Sequence, residues 1–405
     1  MRTMRRARVV AGSVVLLMAL AACGTSSGGD TGGDTGEAGG GGFTPPDVPM
    51  ATELGDNEGT LSVLAWPGYA EDGSTDKSVD WVTPFEEATG CQVDVKVFGT
   101  SDEAVNLMNS GQYDVVSASG DASLRLIASG AVAPVNTDLI SNYADVFDFL
   151  KDRDWNSVDG QMYGVPHGYG ANLLMYRTDV VSPAPTSWSA VFDGASDYAG
   201  KVTSYDSPIY IADAALYLMK TKPELGIENP YSLDEEQLAA AVDLLKAQRE
   251  NVGEYWSDYL KQIQSFTNGD SVIGTSWQVI VNLAQSEDVP VEAILPTEGA
   301  TGWSDTWMVS SKTEHPNCAY AWLNHIISPE ANSAVAEWFG EAPANGKACD
   351  LTSEGFCEAY HAGDASYAEN IWYWTTPIEQ CLDGRTDVKC TTYQDWQTAW
   401  TEIKG

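Results

Sequence analysis

The sequence predicts an α/β protein with two domains, and two observations support this prediction. Short apolar strand patterns alternate with helical patterns, for example at 61–66, 80–89 and 93–97, and such alternation is typical of parallel β-α-β units. About 350 residues follow the N-terminal segments of the 405-residue chain, which is more than one hydrophobic core usually organises. Ligands of such sheets bind at the carboxyl ends of the strands, which here are 66–69 and 117–121.

The N-terminus has the features of a secretory signal. Four arginines precede a short apolar segment, 9–21, which is too short to span a membrane comfortably. Leu-Ala-Ala before Cys23 resembles the bacterial lipoprotein signature, which implies that residues 1–22 are removed and that Cys23 carries lipid. An ordinary signal peptide with an incidental cysteine is the alternative. Residues 23–58 are predicted to be a linker rich in Gly, Ser and Thr in its first part, and no later apolar run is long enough to span a membrane. We therefore expect an extracytoplasmic protein that is lipid-anchored to the bacterial cell membrane.

The elements of the globular body follow from local signals. Gly90 is expected to end the first helix, and Ser101 to begin a second helix that ends at Gly111. Ser232 is predicted to cap a long helix, with Glu235 completing a capping box. Further strands are predicted at 113–116, 161–166, 172–176, 201–204, 271–275 and 291–295, and further helices at 121–128, from 185, at 211–219, from 315 and at 331–339.

Charge and cysteine content narrow the function classes. The chain has 58 acidic and 21 basic residues, a net charge of −37, which excludes a general affinity for nucleic acid or anionic lipid. Six cysteines remain after Cys23, an even number that favours disulfides outside the cytoplasm. Their spacing suggests the pairs Cys349–Cys357 and Cys381–Cys390, which leaves Cys91 and Cys318, although fifteen pairings are possible in principle. With four histidines and no Cys-x-x-Cys, a metal site is not expected.

The segment 295–310 carries the chemistry that points to a ligand. Trp303 and Asp305 are two residues apart, so they point to the same side of an extended strand. An aromatic face beside a carboxylate is a simple receptor for an organic cation, because the ring supplies its π face and the acid accepts charge-assisted hydrogen bonds. A buried Trp and a turn-capping Asp are the alternative for this segment alone.

Seven short motifs add a resemblance that extends from about Thr60 onward. They are WPGY at 66–69, PFEEATG at 84–90, YDVV at 113–116, GVP at 164–166, PTSW at 185–188, GTSW at 274–277, and PTEG followed by WSD within 296–305. In their order and spacing the chain resembles the spermidine/putrescine-binding group of bacterial ABC-importer solute-binding proteins.

The resemblance implies a two-lobed periplasmic-binding-protein-like fold of type II, with parallel or mixed sheets and a ligand cleft at the hinge. Residues 59–168 and 304–350 would form lobe 1, and residues 169–303 and 351–405 would form lobe 2. The pairing Cys91–Cys318 would then lie within lobe 1. The implied function is capture of a small organic cation, first of all a polyamine, by a monomeric receptor that delivers it to an ABC permease, without catalysis or a cofactor.

The resemblance also assigns the candidate ligand contacts. Trp66, Tyr69, Trp277 and Trp303 match aromatic contact positions of the family, and Asp305 matches the acid that holds one ammonium group. The further candidates at the cleft are Ser119, Asp206, Tyr210, Glu341 and Trp374.

Several positions depart from the family pattern. Polyamine receptors carry two more acids where Ser207 and Tyr210 stand here, and Asp206 precedes them by one place. Gly120 replaces an aromatic residue, and Glu341 stands where the family often has a tyrosine. Other replacements are Pro67 and Ala118 for hydroxyl residues and Thr375 for an amide. The second end of a polyamine would therefore need Asp206, Glu341 or Asp121, since an unpaired buried ammonium is costly.

Other ligands and one other function class compete with this reading. Thiamine-like or quaternary amines, opines and sugars are the alternatives within the binding class, and ferric iron is disfavoured because no Tyr-Tyr pair occurs. A secreted hydrolase is a remote alternative, since the body from Thr60 onward has neither a Gly-x-Ser-x-Gly elbow nor a His-Glu-x-x-His motif. His167 lies near the expected hinge, where packing explains it better than ligand contact.

Overall fold

The computed structural model describes residues 44–405. The predicted signal peptide, the lipidation site Cys23 and the first part of the linker lie outside the described residues. The strands are β1 Thr60–Ala65, β2 Gln92–Val97, β3 Val115–Ala118, β4 Val132–Ala133, β5 Ser157–Val158, β6 Gln161–Met162, β7 Gly164–Ala171, β8 Leu173–Arg177, β9 Val202–Tyr205, β10 Val252–Trp256, β11 Ile273–Ser276, β12 Val291–Ile294, β13 Ala300–Ser310, β14 Ala342–Pro343 and β15 Ile371–Tyr373. The helices are α1 Val82–Thr89, α2 Ser101–Asn109, α3 Gly120–Ala128, α4 Ile211–Thr221, α5 Glu235–Arg249, α6 Tyr259–Asn268, α7 Gln278–Ser286, α8 Pro316–Ile326, α9 Pro329–Phe339, α10 Phe356–Ala359, α11 Ala365–Ala368 and α12 Tyr393–Lys404.

Two mixed sheets organise these elements. The larger sheet has the order β14-β7-β13-β3-β1-β2, with β4 and β15 also paired to β13. The smaller sheet has the order β10-β9-β11-β8-β12. Strand β1 runs parallel to β2 and β3, and β9 runs parallel to β10 and β11, so the predicted β-α-β alternation is present in both sheets.

Strand β13 is the longest strand described, and every one of its eleven residues is buried. Its first residues pair with β15, its last residues pair with β3, and β7 runs antiparallel along most of its length. Such an all-buried strand needs apolar or hydrogen-bonded side chains on both faces. The lobe boundaries expected at 168/169 and 303/304 fall inside β7 and β13, and they stay predictions.

Two local predictions differ from the structure. The capping box of α5 is formed by Asp234 and Gln237 and not by Ser232 and Glu235, because each side chain of the former pair bonds the other's backbone N–H at 3.0 Å. The hydroxyl of Ser232 instead accepts the backbone N–H of Leu382 at 2.7 Å. The helix expected from 185 is instead two short 3₁₀ helices, Trp188–Ala190 and Ala195–Tyr198, with a turn at Gly194 between them.

Three disulfides confirm the cysteine pairs that the spacing suggested and that the resemblance supported. They are Cys91–Cys318, Cys349–Cys357 and Cys381–Cys390. The first joins residues 227 positions apart and fastens the loop before β2 to α8.

Among residues 44–405, no helix combines the length and the apolar character that a membrane span requires.

Candidate ligand-binding cleft

A cavity of about 690 Å³ lies where strands of both sheets end. Its wall includes Trp66 after β1, Ser119 and Asp121 after β3, Asp206 after β9, and Trp277 after β11. These are carboxyl ends of strands, as the sequence predicted for two of them. The volume is in the range of small-molecule sites.

Seven of the ten predicted contacts line this cleft: Trp66, Ser119, Asp206, Trp277, Trp303, Asp305 and Trp374. The other three, Tyr69, Tyr210 and Glu341, are not part of its wall. Tyr210 is 1% exposed and lies close to Ser204 and Gln248, beneath the surface of the cleft. Tyr69 and Glu341 lie behind Asp305, as described below.

Trp303 and Asp305 face the same cleft from β13, which the two-residue spacing predicted. Glycines of the neighbouring strand β7 leave space for two side chains of this region. A Cβ atom on Gly170 would come within 2.8 Å of the Trp303 ring, and a Cβ atom on Gly168, which is opposite Asp305, would lie 2.1 Å from the carboxyl carbon of Glu341. The side chains of Trp303 and Asp305 are buried, at 5% and 4% exposure.

The carboxylate of Asp305 is held by a buried hydrogen-bond network. The hydroxyl of Tyr69 lies 2.8 Å from Asp305 Oδ2 and 2.8 Å from Glu341 Oε2. A hydroxyl has one proton, so Tyr69 can donate to only one carboxylate, and the other must carry a proton of its own to bond the phenol oxygen. Burial and the charge of Asp305 raise the pKa of Glu341 well above its ordinary value, so Glu341 is the protonated partner.

His167 lies next to this network and adds no charge to it. Its Nε2 lies 3.3 Å from Glu341 Oε1, and both side chains are fully buried. Burial lowers the pKa of His167 to about 3, so the imidazole is neutral. The structure therefore makes Glu341 a neutral support beneath Tyr69 and not a second anionic contact for a ligand.

The pKa of Asp305 lies closer to neutral pH than that of an ordinary aspartate. Burial raises its pKa to about 6, the hydroxyls of Ser119 and Tyr69 oppose that rise, and the nearby charge of Asp121 adds to it. Among residues 44–405 no lysine or arginine pairs with Asp305. At neutral pH it is a buried carboxylate without a counterion, which is a costly arrangement until a cation binds.

Asp121 is a second carboxylate of the cleft. It lies in the first turn of α3, where the helix dipole favours negative charge, and it is 2% exposed. Ser101 Oγ donates to its Oδ1 at 2.9 Å, and the Tyr393 hydroxyl is 3.4 Å from its Oδ2. Burial raises its pKa, and the positive charge of Arg125 partly opposes this.

Asp206 reaches the cleft, but its charge is already paired. Lys404 Nζ lies 2.7 Å from its Oδ1 and 2.6 Å from its Oδ2, and Trp400 Nε1 donates to Oδ1 at 3.2 Å. Both partners come from α12. Asp206 is therefore not a free receptor for a ligand ammonium group, which the sequence had left open.

Several aromatic rings also line the cleft. Tyr205 stacks on Trp374 with 5.5 Å between ring centroids and 16° between planes, and Trp277 lies 5.6 Å from Tyr205 and 6.0 Å from Trp303. Trp277 Nε1 donates to Asn172 Oδ1 at 2.9 Å, which fixes that indole. The wall thus offers several π faces beside carboxylates.

The cleft residues that were missed from the sequence include Tyr205 and one face of α12. Tyr205 ends β9 directly before Asp206, so its position at a strand end could have indicated it. Four residues of α12 also line the cleft, and their spacing is that of one helical face: Tyr393, Gln397, Trp400 and Lys404. Because α12 is far from the other cleft residues in sequence, this face was not assigned to the cleft.

Gly120 shows why one family aromatic is absent. A Cβ atom there would lie 1.7 Å from the backbone oxygen of Trp374, so only glycine fits. The backbone that carries Trp374 occupies the space where a side chain at position 120 would stand.

Comparisons with known proteins agree with this architecture. Residues 80–360 match the family model described as bacterial extracellular solute-binding protein. The chain is 26% identical over 370 residues to the putrescine-binding periplasmic protein SpuD of Pseudomonas aeruginosa, covering 87% of this chain and 94% of that protein. It is 21% identical over 308 residues to the spermidine/putrescine-binding periplasmic protein of Escherichia coli K12, covering 75% and 83%.

A solved structure supports the fold. The spermidine/putrescine ABC transporter substrate-binding protein PotD from Streptococcus pneumoniae superposes with a TM-score of 0.65 at 19% identity, covering 85% of this chain and 97% of that one. The similarity confirms the predicted two-lobed, type II α/β fold.

Proposed function

The chain belongs to the bacterial extracellular solute-binding proteins, and on that premise we propose that it is the receptor of an ABC importer that captures a small organic amine in the cleft. A polyamine such as putrescine or spermidine is the first choice of ligand, because relatives that cover most of the chain carry these names. The chain is a binding protein and not an enzyme.

The observation that carries the proposal is the buried carboxylate of Asp305. It faces the cleft beside the Trp303 indole and has no cationic partner within residues 44–405. An ammonium group would supply the missing charge, and the ring face would add a cation–π contact. Sugar ligands could use the aromatic walls, but they would leave Asp305 without a counterion, so the charge favours an amine.

Delivery and location complete the proposal. The receptor would act as a monomer outside the cytoplasm, anchored through lipid on Cys23 and linked to its body by residues 23–58. Ligand would close the cleft between lobe 1, residues 59–168 and 304–350, and lobe 2, residues 169–303 and 351–405. The closed form would then dock on an ABC permease in the membrane.

The test compares two matched carboxyl-to-amide variants by calorimetry with putrescine. Asp305→Asn removes the charge in the cleft and is expected to weaken binding by about 100-fold or more, as for a lost charge-assisted hydrogen bond in a buried site. Glu292→Gln is the control, because Glu292 also accepts a tyrosine hydroxyl, from Tyr176 at 2.7 Å, but lies outside the cleft wall. Equal affinities of Asp305→Asn and the control would refute the amine site.

A thermal-shift screen extends this test to the alternative ligands. Polyamines, thiamine, betaines, opines and sugars would be compared, since a ligand stabilises the folded protein in proportion to the logarithm of its concentration over Kd. The proposal expects amines to give the largest shifts, and a shift by sugars alone would contradict it.

A further inference from the structure

Some charged side chains around the cleft already pair with an oppositely charged residue of the protein, and others do not. Of the side chains in residues 44–405, four carboxylates line the cleft, Asp102, Asp121, Asp206 and Asp305, and one lysine, Lys404. Asp102 pairs with Arg125 at 2.7 Å, and Asp206 pairs with Lys404 at 2.6 Å.

Two carboxylates of the wall therefore remain without a cationic partner in the described part of the chain. Asp121 receives hydrogen bonds from Ser101 and Tyr393, and Asp305 receives one from Tyr69, and all of these donors are neutral. Asp121 and Asp305 are thus the two wall carboxylates that form no salt bridge, although the charge of Arg125, which pairs with Asp102, also acts on Asp121.

Lys404 occupies a position that a ligand ammonium could otherwise take. Its Nζ bonds both oxygens of Asp206, at the end of β9 where Ser207 and Pro208 also line the cleft. The Lys404 ammonium also lies 5.7 Å from the centroid of the Tyr255 ring. A carboxylate beside an aromatic ring is the combination that an organic ammonium prefers, and here the chain provides the cation itself.

Resting on the proposed function, we propose that Lys404 is a specificity-determining residue that restricts the ligand to two positive charges. A diamine would satisfy Asp121 and Asp305. A third ammonium group, as in a triamine, would meet Asp206 only by displacing Lys404, whose own charge repels it. The receptor would thus favour diamines over triamines.

The experiment measures the ratio of affinities for spermidine and 1,4-diaminobutane by calorimetry on the full-length protein. Lys404→Met keeps the length of the side chain and removes its charge, so Asp206 becomes free. The spermidine-to-diamine affinity ratio is expected to rise about tenfold or more, as for a gained charge-assisted contact. Lys404→Gln, a second neutral variant, should raise the ratio as well.

The control and the double variant isolate the cause. Lys246→Met removes another lysine that pairs with a carboxylate of α12, since Lys246 Nζ lies 3.1 Å from Glu402 Oε2, but this pair is outside the cleft wall. It should leave the ratio unchanged. Adding Asp206→Asn to Lys404→Met should return the ratio to that of the unmodified protein.

The outcomes separate this inference from the function it rests on. An unchanged ratio in both neutral Lys404 variants, or a gain that persists when Asp206→Asn is added, would overturn the role of Lys404 while leaving the amine receptor intact. If neither amine binds the unmodified protein, the polyamine ligand of the proposed function fails and the inference fails with it.

Discussion

The ligand-free protein should become more stable when Asp305 is replaced by Asn. Asp305 is 4% exposed, and burial raises its pKa from the ordinary 3.8 to about 6. The folded state therefore disfavours the charged form. At about pH 7.5 this difference costs about 3 kcal/mol of folding free energy, from about 1.4 kcal/mol per tenfold change in proton affinity. Asn removes that charge, and its Oδ1 can still accept the Tyr69 hydroxyl.

The pH dependence of this gain has a defined sign. Because the folded pKa lies above the unfolded one, protonation favours the folded state, so the unmodified protein recovers stability as the pH falls from above 6 towards 3.8. The advantage of Asp305→Asn should shrink from about 3 kcal/mol at about pH 7.5 to about 1.6 kcal/mol at about pH 5.

Urea unfolding at the two pH values, without ligand, measures this difference. Asp179→Asn serves as a control of opposite sign, because the hydrogen bond from Arg177 lowers the pKa of exposed Asp179. Removing the Asp179 carboxylate should therefore not increase the free energy of unfolding. The reasoning is refuted if Asp305→Asn is no more stable than the unmodified protein at about pH 7.5. A gain that does not shrink at lower pH would also refute it.

The remaining predictions concern binding, the long disulfide and the anchor. Amine affinity should fall about tenfold from about pH 7.5 to about pH 5, because Asp305 must be ionised to pair with a cation; calorimetry showing constant affinity would contradict this. Trp303→Ala should weaken amine binding by about 2 kcal/mol, seen as a roughly 30-fold higher Kd, whereas a change below twofold would argue against a cation–π contact. Replacing both Cys91 and Cys318 by Ser should cost about 5 kcal/mol of unfolding free energy in the chain-entropy model for a 227-residue loop, and a loss below about 1 kcal/mol would show that the reduced chain keeps this contact. Cys23→Ser should release the protein from membranes in cell fractionation, and retention there would contradict lipid anchoring.

Local patterns in the sequence were sufficient for much of the fold. Alternation along 93–97 and the Gly90 stop gave β2 and α1 nearly to the residue, because strand period and helix termination depend on neighbours in the chain. The capping box of α5 shows the limit of such signals. Ser232 and Asp234 are both good N-caps, and the contact of Ser232 with the distant residue Leu382 settles which one caps the helix.

The candidate site likewise has residues that local sequence patterns predict and residues that they do not. The two-residue spacing of Trp303 and Asp305 placed both on one face of β13, since side chains alternate along any strand. The resemblance brought in Trp66, Trp277 and Trp374, which also line the cleft. Trp66, Trp277 and Trp374 directly follow strands, and Trp303 and Asp305 lie on β13. At such positions the path of the backbone decides which way the side chains face.

What the sequence by itself determined is therefore the α/β fold class, the disulfide pairs at short spacing and the position of Asp305 beside Trp303 on one face of a strand. Only the tertiary structure decided the state of the other acids. Glu341 lies under Tyr69, 272 positions away in sequence, and Lys404 neutralises Asp206 across 198 positions. A carboxylate's charge depends on burial and on partners that packing brings to it, and no periodicity in the chain encodes contacts at such separations.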